Sequence, residues 1–148
     1  MKLAKPLSPI GKFDIETGDF VQTEDKWECE LSTGHTLIVM KGARSDGASV
    51  PSILQTALSP RFDSKSFPAA YTHDQLYASR VIPRKTADLE FGRLLLMFGF
   101  GGGKAWLYRR CVRVFGWWAW RKHTKKSVAK VRLYVSVLLT NPKPPRVD

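Results

Sequence analysis

The side chains best suited to chemistry lie in a short stretch that begins at His73. Asp74 follows directly, Tyr77 comes one helical turn later, and Asp88 lies further along the chain. A polar turn upstream adds the carboxylate of Asp46. One imidazole and three carboxylates could therefore converge from two segments, and such a set suits a metal site or general-base hydrolysis.

The segment around His73 has helical character, and a helix advances by about 100° per residue. His73 and Tyr77 would then share one face of the helix, while Asp74 points to the side. A carboxylate such as Asp88, on a neighbouring helix, could orient the imidazole and stabilise its protonated form. This arrangement predicts His73 as a catalytic base and Asp88 as its partner.

Asp74 and Asp46 could serve a different purpose, because calcium prefers carboxylate and carbonyl oxygens. If the upstream turn folds back onto the helix, Asp46 supplies a carboxylate and Gly47 supplies a backbone carbonyl beside Asp74. The cofactor hypothesis is therefore calcium, with Asp46, Gly47 and Asp74 as ligands. The alternative is structural: His73 could tie the helix to the Asp46 turn by hydrogen bonds.

The elements that would hold these groups begin with short β-prone runs. Residues 11–41 contain three of them, at 20–22, 27–31 and 36–40, separated by turn residues. This pattern predicts an antiparallel β meander. Residues 42–66 carry glycine and proline at intervals, which is typical of a loop, and this loop contains the upstream candidate ligands.

A helical core is predicted over residues 67–122. Helices are expected at about 68–78, from Pro83 onward, and over 104–122, where apolar residues recur at helical spacing. The valines within residues 128–139 fit either a strand or a helix, and the helix is the favoured interpretation.

Length and composition fit one globular domain. The chain has 148 residues, of which 43% are hydrophobic, and this is enough for a core. The predicted fold class is α+β, with the N-terminal antiparallel β meander packed on a helical core that contains the His-Asp helix pair. Residues 1–148 form the single domain, and residues 123–148 are its basic C-terminal extension.

The net charge of +11 is concentrated towards the C-terminus. Residues 1–103 hold 12 basic and 12 acidic side chains, whereas residues 104–148 hold 12 basic side chains and one acidic side chain, Asp148. This asymmetry predicts an anionic partner for the C-terminal third: an anionic membrane, nucleic acid or an acidic protein. The simpler alternative is a solvated basic surface that only aids solubility.

Helix 104–122 divides into two faces when it is projected at about 100° per residue. One face interleaves aromatic and basic side chains and is predicted to contact anions or a membrane: Trp106, Arg109, Arg110, Arg113, Trp117, Trp120 and Arg121. The opposite face is apolar and is predicted to pack in the core: Leu107, Cys111, Val114, Phe115 and Trp118. An alternative is that the tryptophans pack against residues 128–139 and only the arginines are exposed.

Cysteine content and hydrophobicity bear on the compartment. Cys29 and Cys111 match no metal or redox spacing, which favours two free thiols in a reducing compartment; a disulfide between them stays an alternative. The N-terminus lacks the apolar stretch of a signal peptide, and no segment approaches the ~20 apolar residues that span a bilayer. We therefore expect the chain to be made as a soluble cytoplasmic protein.

Four motifs follow one another in a recognisable order. They are Ser45-Asp46-Gly47-Ala48-Ser49-Val50-Pro51; His73-Asp74-Gln75-Leu76-Tyr77; Arg84 with Ala87-Asp88 and Phe91; and Val112-Arg113-Val114-Phe115-Gly116. Over about residues 12–116 this order resembles a phage and prophage family, the domain-of-unknown-function family 1353. The resemblance implies a protein made in the host cytoplasm, with packaging in a phage particle as a further hypothesis.

A more distant resemblance involves the residues around the same histidine. The matching positions are Asp46-Gly47-Ala48-Ser49, Phe67-Pro68-Ala69-Ala70-Tyr71-Thr72-His73-Asp74, Tyr77, Arg84, Asp88 and Phe91. This set resembles the prokaryotic branch of the secreted phospholipase A(2) enzymes. The resemblance implies that His73 activates water, that Asp88 orients it, and that calcium is the cofactor bound by Asp46, Gly47 and Asp74.

Three functional hypotheses result. The leading one is a phage-type, phospholipase-A(2)-like protein, a calcium-dependent ester hydrolase acting at membranes. The alternative is a non-enzymatic virion component of a tail or head, which uses the same scaffold to bind DNA or another virion protein. A third is a small intracellular inhibitor of a host nucleic-acid enzyme. The geometry around His73 separates these hypotheses, because a base needs one ring nitrogen on a carboxylate and the other accessible.

Overall fold

The computed structural model describes residues 4–45 and 66–139, and its fold is α+β. The strands in these residues are β1 (Gly11–Phe13), β2 (Phe20–Gln22), β3 (Lys26–Glu30), β4 (His35–Met40), β5 (Arg44–Ser45) and β6 (Val135–Leu139). The helices are α1 (Phe67–Ser79), α2 (Arg84–Met97), α3 (Gly102–Lys122) and α4 (Lys125–Val131). The predicted fold class is confirmed. No helix within the described ranges has the length and apolarity needed to cross a membrane.

The strands form two three-stranded antiparallel sheets. In the first sheet β2 lies between β1 and β5, and in the second β4 lies between β3 and β6. The runs predicted at 20–22, 27–31 and 36–40 correspond to β2, β3 and β4 within one residue at each end. Buried and exposed residues alternate along β3, as expected for a strand with one face on the core.

The C-terminal strand corrects one prediction. Residues 128–131 are helical, but residues 135–139 form β6, so the helix predicted across 128–139 is wrong for its second half. Val135 is buried, and it pairs with Val39 on β4. The local sequence fits the period of a helix and also that of a strand. Pairing with β4, which is distant in the sequence, favours the strand because it gives the backbone of β6 a hydrogen-bonded partner.

Tyr71 connects α1 to the strands. Its ring makes edge-to-face contacts with Phe20 and Trp27, with centroids 5.6 and 5.2 Å away. Its Oη donates to Oε1 of Gln22 at 2.6 Å. Both side chains are buried, so the hydrogen bond satisfies groups that would be costly to bury alone. The bond and the ring contacts fix α1 against β2 and β3.

Two arginines join the ends of the helices. Arg80, in the left-handed conformation at φ 50°, ends α1 and donates to the carbonyls of Trp120 and His123 at 2.6 and 2.9 Å. Arg132 donates to the carbonyls of Ser79 and Arg80 at 2.7 and 3.1 Å. The last carbonyls of a helix lack partners within it and carry partial negative charge, so cations stabilise them. Through these bonds α1 is tied to the end of α3 and to the turn after α4.

Helix α3 packs on its neighbours through a narrow stripe of mostly small residues. Ala105, Tyr108, Val112 and Gly116 are buried at helical spacing. A Cβ atom added at Gly116 would lie 2.6 Å from Oη of Tyr77, which is closer than a Cβ atom approaches another heavy atom in folded proteins. This position therefore has to be glycine for α3 to lie as close to α1 as it does.

The predicted core face of α3 is wrong. Only Cys111 of that set is buried; the other four, Leu107, Val114, Phe115 and Trp118, are between 37% and 63% exposed. The helix is rotated by roughly a third of a turn from the predicted orientation. Close packing at Gly116 brings the small residues inward, and the large apolar side chains are left outside.

Replacing Gly116 with alanine should therefore destabilise the protein. The new methyl group meets the Tyr77 hydroxyl, and overpacking of this kind costs about 1–3 kcal/mol. Gly103→Ala is the matched control, since no atom lies within 4 Å of a Cβ there and alanine favours a helix. Urea unfolding of both variants measures the difference. Equal stability of Gly116→Ala and the wild type would contradict the packing described.

Candidate functional site

Helix α1 places His73 and Tyr77 in the interior. Pro68 lies in its first turn, where the missing N–H costs nothing, and most of its residues are buried. His73 is 0% exposed, and its ring lies 4.0 Å from the ring of Tyr77 and 5.0 Å from that of Phe91, between centroids. The shared face predicted for His73 and Tyr77 is present, and it faces α2.

Asp88 of α2 is the centre of the site and is 1% exposed. Its Oδ1 accepts from Nε2 of His73 at 2.9 Å and from Oη of Tyr77 at 2.5 Å. Its Oδ2 accepts from Nη1 of Arg113 at 2.8 Å, and Nε of Arg84 lies 3.9 Å away. The two residues that the sequence pairs, His73 and Asp88, thus contact each other; a catalytic role for them stays a prediction.

Arg84 binds the backbone of α3 as well as the site. Its Nε donates to Oη of Tyr77 at 3.2 Å. Its Nη2 donates to the carbonyl of Val112 at 3.2 Å and also to the carbonyl of Arg113. Side chains from α1, α2 and α3 therefore form one hydrogen-bonded network around a single carboxylate, which we call the Asp88 network: His73, Tyr77, Arg84, Asp88 and Arg113.

The protonation states in the Asp88 network have identifiable causes. Burial lowers the pKa of His73, and this outweighs the opposing effect of Asp88. Burial alone would raise the pKa of Asp88, but hydrogen bonds from His73, Tyr77 and Arg113 together lower it. Burial, followed by the hydrogen bond to Asp88, raises the pKa of the Tyr77 phenol. At neutral pH Asp88 is therefore ionised, His73 is neutral with its proton on Nε2, and Tyr77 is a donor.

The second ring nitrogen of His73 has different surroundings. Within the described residues, Nδ1 is buried and has no hydrogen-bond partner. Because Nε2 carries the proton that Asp88 accepts, Nδ1 carries a lone pair. The site thus contains a buried neutral imidazole with one ring nitrogen on a carboxylate and a lone pair on the other, but that second nitrogen is not accessible to solvent, so only the first of the two conditions for a base is met by the packed side chains.

Asp74 lies on the neighbouring face of α1 and is half-buried. Its Oδ2 accepts from Oγ of Ser45 at 2.5 Å, and Nε2 of Gln75 donates to the carbonyl of Arg44 at 2.7 Å. Helix α1 thereby contacts β5, the segment that leads into Asp46. The predicted ligands Asp46 and Gly47 themselves lie outside the described residues.

The described donors do not by themselves make a calcium site. Calcium takes six to eight oxygen ligands, and among residues 4–45 and 66–139 no group of three or more His, Cys, Asp and Glu side chains could hold a metal ion. Calcium binding therefore depends on Asp46 and Gly47, and it stays a prediction.

The residues predicted to contact anions or a membrane divide into two groups. Trp106, Arg110, Trp117 and Arg121 are exposed on α3. Within this group, Arg110 lies 5.5 Å over the ring of Trp106 and Arg121 lies 4.4 Å over that of Trp117. These cation–π contacts combine charge and apolar area on one surface.

The remaining three of the seven contact the rest of the protein. Arg113 belongs to the Asp88 network. The half-buried Trp120 packs against Tyr77, with centroids 5.2 Å apart, and under Arg80. Arg109 is exposed, and its Cδ lies 3.0 Å from the position of a Cβ on Gly92. Part of the predicted contact face is thus turned towards the core.

The structural roles of Arg84 and Arg113 were not predicted from the sequence. Arg84 precedes Asp88 by four residues, a spacing that places opposite charges together on a helix, so this pair had a readable signal. The contact between Arg113 and Asp88 had no such signal in the sequence, because it depends on how α3 is rotated against α2.

The fold and the site define an α+β protein in which a buried His–Asp pair is held among three helices. A family model with the description "Protein of unknown function (DUF1353)" matches residues 21–112, and the chain belongs to this family. The matched region runs from β2 to the middle of α3 and includes His73 and Asp88. Neither the curated proteins nor the solved structures contain a match to the chain.

Acidification should destabilise the protein in two stages. The pKa of His73 is lowered from 6.5, so below that pH the unfolded chain takes up a proton that the folded protein resists, and stability falls. The pKa of Asp88 is lowered from 3.8, so its contribution is lost only as pH falls further, towards its folded pKa. Melting temperatures measured from about pH 8 to pH 3 would show both stages.

The first stage can be assigned with two variants. His73→Gln removes the buried imidazole and should flatten the curve below about pH 6.5, and His35→Gln, which removes a histidine outside the Asp88 network, is the matched control. An unchanged slope in His73→Gln would mean that His73 does not cause the loss.

Proposed function

We propose that the protein hydrolyses esters, with His73 as the general base and Asp88 as the group that orients it. The observation that carries the proposal is the state of Nδ1 of His73, which is buried and without a hydrogen-bond partner in the described residues, while Nε2 is bound to Asp88. Buried side-chain polar atoms have partners in the large majority of cases. A histidine kept only for structure would gain by using both nitrogens, whereas a base has to keep one lone pair.

The electrostatics of the pair support this assignment. The lowered pKa of His73 leaves the Nδ1 lone pair unprotonated at neutral pH, and the burial that lowers it also makes the imidazole a weaker base than one in water. Asp88 is ionised and stabilises the imidazolium that forms. Tyr77 and Arg113 also donate hydrogen bonds to the two oxygens of Asp88, so the carboxylate keeps one orientation.

The reaction follows from these positions. Nδ1 of His73 takes a proton from a water molecule as the water oxygen attacks the carbonyl carbon of the ester. The same proton then passes to the departing alkoxide as the ester C–O bond breaks, so that an acid and an alcohol are released. Because His73 has no exposed surface, side chains packed on it must move before substrate reaches Nδ1.

We assign the substrate to glycerophospholipids at a membrane. Helix α3 supports this class, because its Arg113 contacts Asp88 while tryptophan and arginine side chains on the same helix are exposed. The protein would thus be a phage-type, phospholipase-like hydrolase that works at a lipid surface. Calcium, held by Asp74 with Asp46 and Gly47, would polarise the ester carbonyl when bound.

A specific observation favours a second candidate function. His73 is completely buried, and Asp88 accepts three hydrogen bonds from three side chains. These features also suit a network that only holds three helices together. In that case the protein is a non-enzymatic virion component that binds DNA or another virion protein through its basic end.

Replacing His73 with glutamine should abolish hydrolysis. Loss of a general base costs a factor of about 10² to 10⁴ in rate. The assay uses dispersed phosphatidylglycerol and a short-chain nitrophenyl ester with calcium present, and circular dichroism confirms that the variant is folded. His35→Gln is the matched control and should keep the wild-type rate.

Two results would count against the enzyme. Either the wild type cleaves none of these esters, or His73→Gln is as active as the wild type. If the wild type is inactive and His73→Gln lowers the melting temperature sharply, the Asp88 network is structural and the virion-component function takes precedence.

Calcium binding should depend on Asp74. Titration calorimetry of the wild type is expected to show weak binding, because only two carboxylates are available to the ion. Asp74→Asn should lose the binding heat, whereas Asp25→Asn, which changes an exposed carboxylate elsewhere, should keep it. Equal heats for Asp74→Asn and the wild type, or no heat at millimolar calcium, would remove calcium from the mechanism.

A further inference from the structure

Six large apolar side chains are exposed on one side of α3, and we call this the outer face. They are Trp106, Leu107, Val114, Phe115, Trp117 and Trp118. Together they cover about half of the helix circumference and extend over roughly 18 Å along its axis. Exposed apolar residues are normal when they are scattered, but a continuous patch of this kind indicates a binding surface.

Basic side chains lie inside and beside the outer face. Arg110 and Arg121 project from the same side of the helix, with their guanidinium groups over Trp106 and Trp117. Ten lysines and arginines and no acidic residue occur in the described residues from 104 to 139. The partner of the outer face must therefore offer both an apolar interior and negative charge at its surface.

We propose that the outer face of α3 binds the surface of an anionic lipid bilayer, with the helix lying in the plane of the interface. Indole rings favour the level of the lipid headgroups, because one part of the ring is apolar and the N–H is polar. Leucine, valine and phenylalanine side chains enter the upper acyl region, and arginines contact lipid phosphates. This proposal stands whether or not His73 catalyses hydrolysis.

Nucleic acid fits the outer face less well. A phosphate backbone uses the arginines but gives no apolar environment to Leu107, Val114 or Phe115. Base stacking needs open aromatic rings, and arginines lie over the rings of two of the three tryptophans of the outer face, Trp106 and Trp117. A DNA-binding surface would also be polar, as protein–DNA interfaces are.

A second copy of the chain also fits less well. A two-fold symmetric contact would place the outer face against itself. Arg110 and Arg121 of both copies would then meet in a low-dielectric interface without an acidic residue on the outer face to compensate them. Anionic lipid removes this repulsion, which is why the charge pattern selects a bilayer.

Vesicle sedimentation of the full chain tests the proposal. The vesicles contain phosphatidylcholine alone or phosphatidylcholine with about a third phosphatidylglycerol, at about 0.1 M salt. The wild type should sediment with the anionic vesicles, and its tryptophan emission should shift to shorter wavelength. Trp117→Ala/Trp118→Ala should weaken the partition at least about tenfold, because two exposed indoles no longer enter the interface.

Matched variants separate the outer face from general charge and general hydrophobicity. Arg110→Gln/Arg121→Gln should weaken binding more than Lys125→Gln/Lys126→Gln, which removes two exposed charges from α4. Leu133→Ala/Leu138→Ala removes exposed apolar side chains elsewhere and should bind like the wild type. All of these residues are exposed, and circular dichroism verifies folding.

Each of three outcomes would overturn the proposal. The first is no sedimentation of the wild type with anionic vesicles at lipid excess. The second is unchanged binding by Trp117→Ala/Trp118→Ala. The third is a different partner on the outer face in a protein that does not bind lipid. This partner would appear as a dimer in sedimentation velocity, or as a DNA gel shift that falls steeply with salt, and the signal would be lost in the double tryptophan variant. Vesicle binding needs no catalytic readout, so an inactive His73 site leaves this test unaffected.

Discussion

The carboxylate of Asp88 is a charge enclosed by three helices, and the arrangement of those helices depends on how that charge is satisfied. An ionised carboxylate out of water costs several kcal/mol unless opposite charges and donors replace its hydration. Tyr77 and His73 supply donors from α1, and Arg113 supplies one from α3. Arg84 also donates to the backbone of α3. A shift of α1 or α3 relative to α2 would remove at least one of the partners of Asp88, so the network fixes the relative positions of the three helices.

Much of the fold could be predicted from local sequence because local patterns determine it. Alternating apolar residues locate β3 and β4, and Pro68 and Pro83 mark the starts of two helices. The identity of β6 could not be predicted in this way. Val135 and its neighbours fit two periods, and the choice depends on pairing with β4, about a hundred residues earlier.

The site was predictable to the extent that its residues share a motif. His73 and Tyr77 are one turn apart on a single helix, so their shared face follows from helical geometry, and Asp88 is the next carboxylate after them. The role of Arg113 was not predictable, because it depends on the rotation of α3. That rotation is set by a contact between Gly116 and Tyr77 and by the need of Asp88 for a cation. An average of hydrophobicity around the helix cannot detect either constraint, and it selected the larger apolar side chains as the core.

Several of the large apolar side chains of α3 were predicted to face the core, and their exposure indicates that they serve a purpose other than packing. The fold needs small residues on its inner side, and Ala105, Val112 and Gly116 provide them together with one guanidinium. Folding makes only partial use of the large apolar side chains on its outer side, since they remain between 37% and 63% exposed. A sequence selected only for stability would gain nothing from three exposed indoles there, because they favour aggregation. The residues that packing does not require are therefore the best guide to function, and on this helix they combine apolar area with positive charge.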